Sequence, residues 1–129
     1  REGFQELILQ PQSDLPHFRH FLSEIGWEIV REEMIKEDGK FYPMMKAVRN
    51  KTGKKIMYTE AEAWFGPLLL EKCHPILKEY LLREASIREK ILADLSGARA
   101  SSASAKDRLA EVKEEMELIK SALGRYESI

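Results

Sequence analysis

Near the amino terminus Leu7-Ile8-Leu9 runs directly into Gln10-Pro11, and this junction constrains the fold more than any other feature. A short continuous apolar run is the pattern of a strand covered on both faces, and Pro11 stops it because proline has no amide donor for a ladder. Ser13 then offers an N-cap oxygen, Asp14 and Pro16 suit a first helical turn, and Leu15, Phe18, Phe21, Leu22 and Ile25 mark one helical face. Gly26 ends that helix. Trp27 to Ile35 reads as a strand, Asp38-Gly39 supplies the positive-φ pair of a tight hairpin, and Phe41 to Val48 is the returning strand. Pro43 within it is tolerated only where its nitrogen needs no ladder partner. No helix or glycine loop precedes the first strand, so the expectation is of a sheet whose opening strands lie outside this sequence.

Size and charge narrow the possibilities. The 129 residues, 43% of them apolar, can bury one modest core and a satellite helical unit. Basic and acidic residues number 21 and 22, a net charge of −1, so no global field draws the chain to nucleic acid or to an anionic membrane. Any basic footprint is local. One cysteine, Cys73, cannot form an intramolecular disulfide and fits a reducing compartment. No apolar run approaches the roughly 18 residues that span a bilayer. The expected setting is cytoplasmic, with no membrane partner.

Residues 51–67 read as a basic and aromatic linker between a region 1–50 and a region 68–129. Lys46, Arg49, Lys51, Lys54 and Lys55 form the most basic stretch, which could touch phosphate or could be a solvated turn. Tyr58, Trp64 and Phe65 are expected to pack the junction, with stacking on bases as the alternative, and Gly66-Pro67 marks the entry to the next element. From Leu68 to about Leu95 one helix is expected, with Cys73, Leu77, Tyr80, Ile87 and Ile91 on a face that Leu70, Leu81, Leu92 and Leu95 widen. Ala105, Leu109, Val112, Met116, Ile119, Leu123 and Tyr126 alternate steps of four and three, the seam of a coiled coil. The small-residue loop 96–104 between them predicts an antiparallel helical hairpin, with an intermolecular coiled coil as the rival. Beyond Leu70 the eleven basic residues meet eleven acidic ones, so the charge there mainly solvates the helices.

Self-contained chemistry is sparse. No spacing of Cys73, His74, His17 and His20 suggests a metal site. Cys73 falls on an expected apolar helix face, where a thiol is inert. Glu37-Asp38 is explained by the hairpin turn, and neither G-x-G-x-x-G nor a Walker loop occurs. Gln10, Pro11, Gln12 and Ser13 follow the carboxyl end of the first strand, where open α/β sheets bind ligands. Gln10 could contact a base or cofactor or cap the next helix; Ser13 reads as a cap.

Three segments in order carry a family resemblance: Leu-Ile-Leu-Gln-Pro at 7–11, Glu-Asp-Gly-Lys at 37–40 followed by Tyr42, and Phe-Gly-Pro-Leu-Leu-Leu-Glu-Lys at 65–72. Together they resemble the bacterial tRNA (adenine-22-N1)-methyltransferase family, over nearly the whole chain, loosening after Leu95. The resemblance implies an S-adenosylmethionine-dependent Rossmann-like domain with a C-terminal helical appendage that grips tRNA, and this chain would be its C-terminal portion. Gln12 stands where the family often has Asn. The family's acidic-glycine cofactor loop, its ribose-holding acidic residue and its Gly-rich strand end beside the target adenine have no counterparts here. The resemblance therefore transfers no catalytic residue. It implies S-adenosylmethionine as cofactor of the full-length family and none for this chain alone, with Gln10, Pro11 and Gln12 as part of a substrate-side rim.

The expected architecture is the C-terminal half of a Rossmann-like methyltransferase sheet, mixed and three-stranded, followed by an antiparallel coiled-coil hairpin. Strands at 5–10, 27–36 and 41–48 would place the last one between the other two. Expected partners are tRNA, through the basic stretch and the helical arm, and the missing N-terminal half of the domain. The bare edge at Leu7 to Leu9 predicts self-association. The alternative function is a non-enzymatic coiled-coil interaction module.

Overall fold

A computed structural model describes residues 6–9, 14–52, 54–96 and 102–127. Gln10, Pro11, Gln12 and Ser13 lie outside the described residues, as does most of the loop 96–104. The chain forms two compact units, Arg1–Leu77 and Lys78–Ile129.

The first unit is built on three strands, β1 (Glu6–Leu9), β2 (Trp27–Glu37) and β3 (Lys40–Arg49), in the order β1-β3-β2. The insertion of β3 between the others is as expected. Both ladders are antiparallel, so the described sheet is not mixed: β1 and β2 run the same way but never touch. Asp38 and Gly39 both take positive φ, 52° and 77°, and join Glu37 to Lys40 in a two-residue turn. β1 pairs with Met45 to Val48 alone, so at Pro43 the sheet has no described strand on the β1 side. There the missing amide breaks no ladder among the described residues.

Helix α1 (Leu15–Glu24) lies on one sheet face, where Leu15, Phe18 and Leu22 meet Leu7, Leu9, Trp27, Ile29, Met45 and Ala47. Its N-cap position is Asp14, in the left-handed region with no side-chain cap, not Ser13. The buried face also differs from the expected one. Arg19, Leu22 and Ser23 are buried, while Phe21 and Ile25 are exposed.

A bulge explains what Arg19 meets. Ile29 pairs with Ala47 and Arg31 with Lys46, so Val30 is an extra residue that reverses the alternation of everything after it. Trp27 and Ile29 are buried before the bulge, Glu32 and Met34 after it. An uninterrupted strand would have turned Arg31 and Glu33 inward.

Residues 51–67 hold a helix as well as a loop. Helix α2 (Glu60–Phe65) begins with a complete capping box: the Glu62 amide donates to Thr59 Oγ1 at 3.2 Å, and the Thr59 amide to Glu62 Oε1 at 2.8 Å. Phe65 is buried, and Tyr58 packs on the sheet core. Burial raises the Tyr58 pKa, with a hydrogen bond to the Ile29 backbone opposing it.

The single helix expected over 68–95 is broken. Helix α3 (Pro67–Glu71) ends at Lys72, and α4 (Pro75–Leu95) begins after His74. Proline disfavours a helical residue before it, and Cys73 takes φ 48° in the gap. The His74 amide donates to Leu69 O at 3.0 Å and the Cys73 amide to Leu70 O at 3.1 Å, which closes α3 as a Schellman motif. Cys73 is thus part of a helix terminus and half-buried, not on a helical stripe.

In the second unit, the α4 residues from Lys78 accompany α5 (Ala103–Glu127). Lys78 Nζ lies 6.0 Å above the Tyr126 ring, and Arg88 Nε donates to Glu115 Oε1 at 3.1 Å, so the two helices run in opposite directions. On α5 the expected seam is the buried face, with Val112, Met116 and Ile119 innermost. On α4 the expectation fails at Ile87, which is 43% exposed. Glu84 and Arg88 are largely buried there instead, and Arg88 also pairs with Glu84 Oε1 at 2.8 Å. Burial works against the Arg88 charge, but Glu84 and Glu115 outweigh it and raise its pKa.

Ile119 is 2% exposed, so Ile119→Ala should cost about 3 kcal/mol in urea unfolding, whereas half-buried Leu109→Ala should cost clearly less. Equal losses would mean that the buried face is misplaced.

Candidate nucleic-acid interface

The basic stretch sits on the end of β3 and the loop that follows. Asn50 shapes that loop: its amide donates to Gly26 O at 2.7 Å, its Oδ1 accepts from the Thr52 amide at 3.0 Å and from Thr52 Oγ1 at 2.6 Å, and its Nδ2 donates to Lys54 O at 2.7 Å. The side chain of Asn50 thereby mimics a backbone turn. Asn50-x-Thr52 was a readable signal for this turn, overshadowed by the lysines around it.

The five basic residues are not equivalent. Alternation along β3 puts Lys46 on the opposite sheet face from Ala47 and Arg49, and Lys46 Nζ is 3.3 Å from Glu6 Oε2. Arg49 lies over the Trp27 ring at 5.9 Å. Lys55 Nζ is 3.1 Å from Glu24 Oε2 on α1. Lys51 and Lys54 are exposed, and neither side chain has an anionic partner among the described residues. The loop therefore offers two uncommitted ammonium groups beside an exposed guanidinium stacked on an aromatic ring. That arrangement suits phosphate, with no chemistry of its own.

A second charged group lies along β2. Glu33 Oε2 is 3.1 Å from Lys72 Nζ, and Glu33 Oε1 is 3.2 Å from His74 Nε2. The hydrogen bond from Lys72 is the largest influence on Glu33 and, with His74 adding to it and burial opposing, lowers its pKa below the usual carboxylate value. His74 Nδ1 accepts the Ile76 amide at 3.2 Å, which leaves the Nε2 proton for Glu33. His74 is therefore occupied as the cap of α4. Among the described residues no group of three or more His, Cys, Asp and Glu side chains could hold a metal ion.

A model of the tRNA (adenine(22)-N(1))-methyltransferase family, TrmK, matches residues 2–121. The chain belongs to this family. It is 26% identical over 123 residues to the Bacillus subtilis tRNA (adenine(22)-N(1))-methyltransferase, a match covering 94% of this chain and 51% of that one. The crystal structure of the same B. subtilis enzyme superposes with a TM-score of 0.77 at 26% identity, over 94% of this chain and 52% of that chain. An uncharacterized Listeria monocytogenes protein superposes with a TM-score of 0.87 at 27% identity, over 94% of this chain and 52% of that one. A Streptococcus pneumoniae protein crystallised with S-adenosyl-L-methionine has the same fold, with a TM-score of 0.75 at 23% identity, over 95% of this chain and 49% of that one. The chain spans about half the length of these relatives, and its fold recurs within theirs.

Proposed function

We propose that this chain is the C-terminal part of an S-adenosylmethionine-dependent tRNA adenine-N1 methyltransferase acting at position 22, in which it completes the sheet and supplies a coiled-coil helical arm that binds tRNA. The observation that carries the reading is the family match from residue 2 to residue 121. Because the match includes the helical unit, it favours this reading over a free-standing coiled-coil module. Gln10, Pro11 and Gln12, outside the described residues, would form part of the substrate-side rim.

In this reading the cofactor is held by the rest of a methyltransferase chain. Gly39 serves the hairpin turn, and the space beside Gly66 is filled by the Glu32 carboxylate, 2.7 Å from where a Cβ would stand. Adenine-N1 methylation needs a bound methyl donor and a site for the target base, so the rest of a methyltransferase chain must supply the donor's site. The contribution of this chain is support and recognition. Lys51 and Lys54 are the best placed to meet tRNA phosphates, because Lys46 and Lys55 already face Glu6 and Glu24. Releasing those two from their partners would offset part of what a phosphate contact gains.

Two outcomes are expected. The double variant Lys51→Glu/Lys54→Glu should weaken tRNA binding and reduce the slope of log affinity against log salt by about two, whereas Lys46→Ala should change it little; unchanged binding by the double variant would remove the loop from the interface. Calorimetry on the chain alone should show no S-adenosylmethionine binding, and a stoichiometric titration would contradict the proposed division of labour.

A further inference from the structure

We propose that the tip of the β2–β3 hairpin, with Lys36 and Phe41 on one face and Lys40 and Tyr42 on the other, is a stacking platform for unpaired bases of tRNA. This inference rests on the functional reading above and names the element of the first unit that meets bases, a contact separate from the phosphate-facing loop.

Position is the first ground. β1 and β2 run the same way, and the last described pair of β1 is Leu9 with Met45. Beyond it β2 and β3 stay paired as far as Glu37 and Lys40, so the segment from Met44 to Lys40 runs about 17 Å past Leu9. The overhang therefore stands at the carboxyl ends of two parallel strands, the edge at which open α/β sheets hold their ligands. The loop with Lys51 and Lys54 follows the other end of β3, where Arg49 pairs with Trp27 and Val48 with Glu6, about 30 Å away.

Side-chain chemistry is the second ground. Met34 is buried, so alternation sets Lys36 on the face of Met34 and Ile35 on the other. Phe41 is opposite Lys36, Tyr42 opposite Ile35 and Lys40 opposite Glu37. Each face of the overhang thus carries one aromatic ring and one lysine. Lys36 Nζ lies 5.6 Å from the Phe41 ring centre; both lysines are exposed and both rings half-buried. Glu37 and Asp38 balance the two lysines, so the tip offers ring surface rather than a positive field. Adenine N1 lies on the base's pairing edge, and chemistry there acts on a base out of its pair. Bases without their stacking neighbours favour aromatic rings with a cation beside them.

The test titrates this chain with an unmodified tRNA transcript and, separately, with a continuous RNA duplex. Tyr42→Leu, which keeps apolar bulk without a ring, should weaken tRNA binding about tenfold. It should leave the slope of log affinity against log salt unchanged, because stacking releases no counterions, and should leave any duplex binding as it was. Tyr42→Phe should bind as the parent does. Acetylation of the unsubstituted chain, read by mass spectrometry, should show Lys36 and Lys40 protected by tRNA, whether or not any variant folds. Unprotected lysines, or undiminished tRNA binding by a folded Tyr42→Leu chain, would overturn the platform. So would an equal loss of duplex binding, since the contact would then not be to unpaired bases. Self-association of this chain that Tyr42→Leu abolishes while tRNA binding stays intact would give the tip to a second copy instead. Should the platform alone be wrong, Lys51→Glu/Lys54→Glu still weakens tRNA binding; a chain that binds no tRNA sinks the recognition role in the functional reading as well.

Discussion

The carboxylate of Glu32 holds together most of what surrounds the sheet. Both it and Arg19 are 1% exposed, and two charges removed from water in this way persist only if every donor and acceptor is satisfied. They are. Arg19 Nε and Nη2 each lie 3.1 Å from Glu32 Oε2, Arg19 Nη1 donates to Ala63 O at 2.7 Å, and Glu32 Oε1 accepts the Leu68 amide at 2.8 Å. One buried ion pair therefore ties α1, β2, α2 and α3 together.

The same carboxylate explains Gly66. This residue is the N-cap of α3, with φ 102°, and has no side chain to bond the first amides of the helix. Glu32 does so from across the fold, and a Cβ on Gly66 would collide with it at 2.7 Å. The glycine is required twice, for its backbone angle and for the space. On the free edge of β2, Lys72 Nζ donates to Glu32 O at 2.8 Å and pairs with Glu33. Together with the bulge at Val30, this lysine blunts an edge that would otherwise accept another strand.

What the sequence disclosed followed local rules. The Asp38-Gly39 hairpin, the Gly26 stop, the Pro67 start and the buried face of α5 each rest on residues within a turn or two of one another, and each is found where the sequence put it. The errors arose where a distant contact reversed a local pattern. Arg19 had no place on the expected face of α1, and it is buried because the Val30 bulge turns Glu32 toward it. Ile87 read as a seam residue until Arg88 reached Glu115 on α5. Thr59-x-x-Glu62 and Pro75 were legible signals, for the start of α2 and for the break before α4, hidden under the linker and the long apolar stripe. For the candidate interface, the cluster of lysines was visible, but their differing value depends on Glu6 and Glu24, which only the fold brings near Lys46 and Lys55.

The dependence of the first unit on the buried pair is open to a direct measurement: the unfolding free energies of Glu32→Gln, Arg19→Met and the double variant Arg19→Met/Glu32→Gln. If Glu32 is the junction described, Glu32→Gln alone loses about 3 kcal/mol or more, because the Arg19 charge stays buried without its counterion. The double variant then loses less than the sum of the single losses. A loss below about 0.5 kcal/mol for Glu32→Gln, as for an ordinary surface position, would contradict this account of the fold.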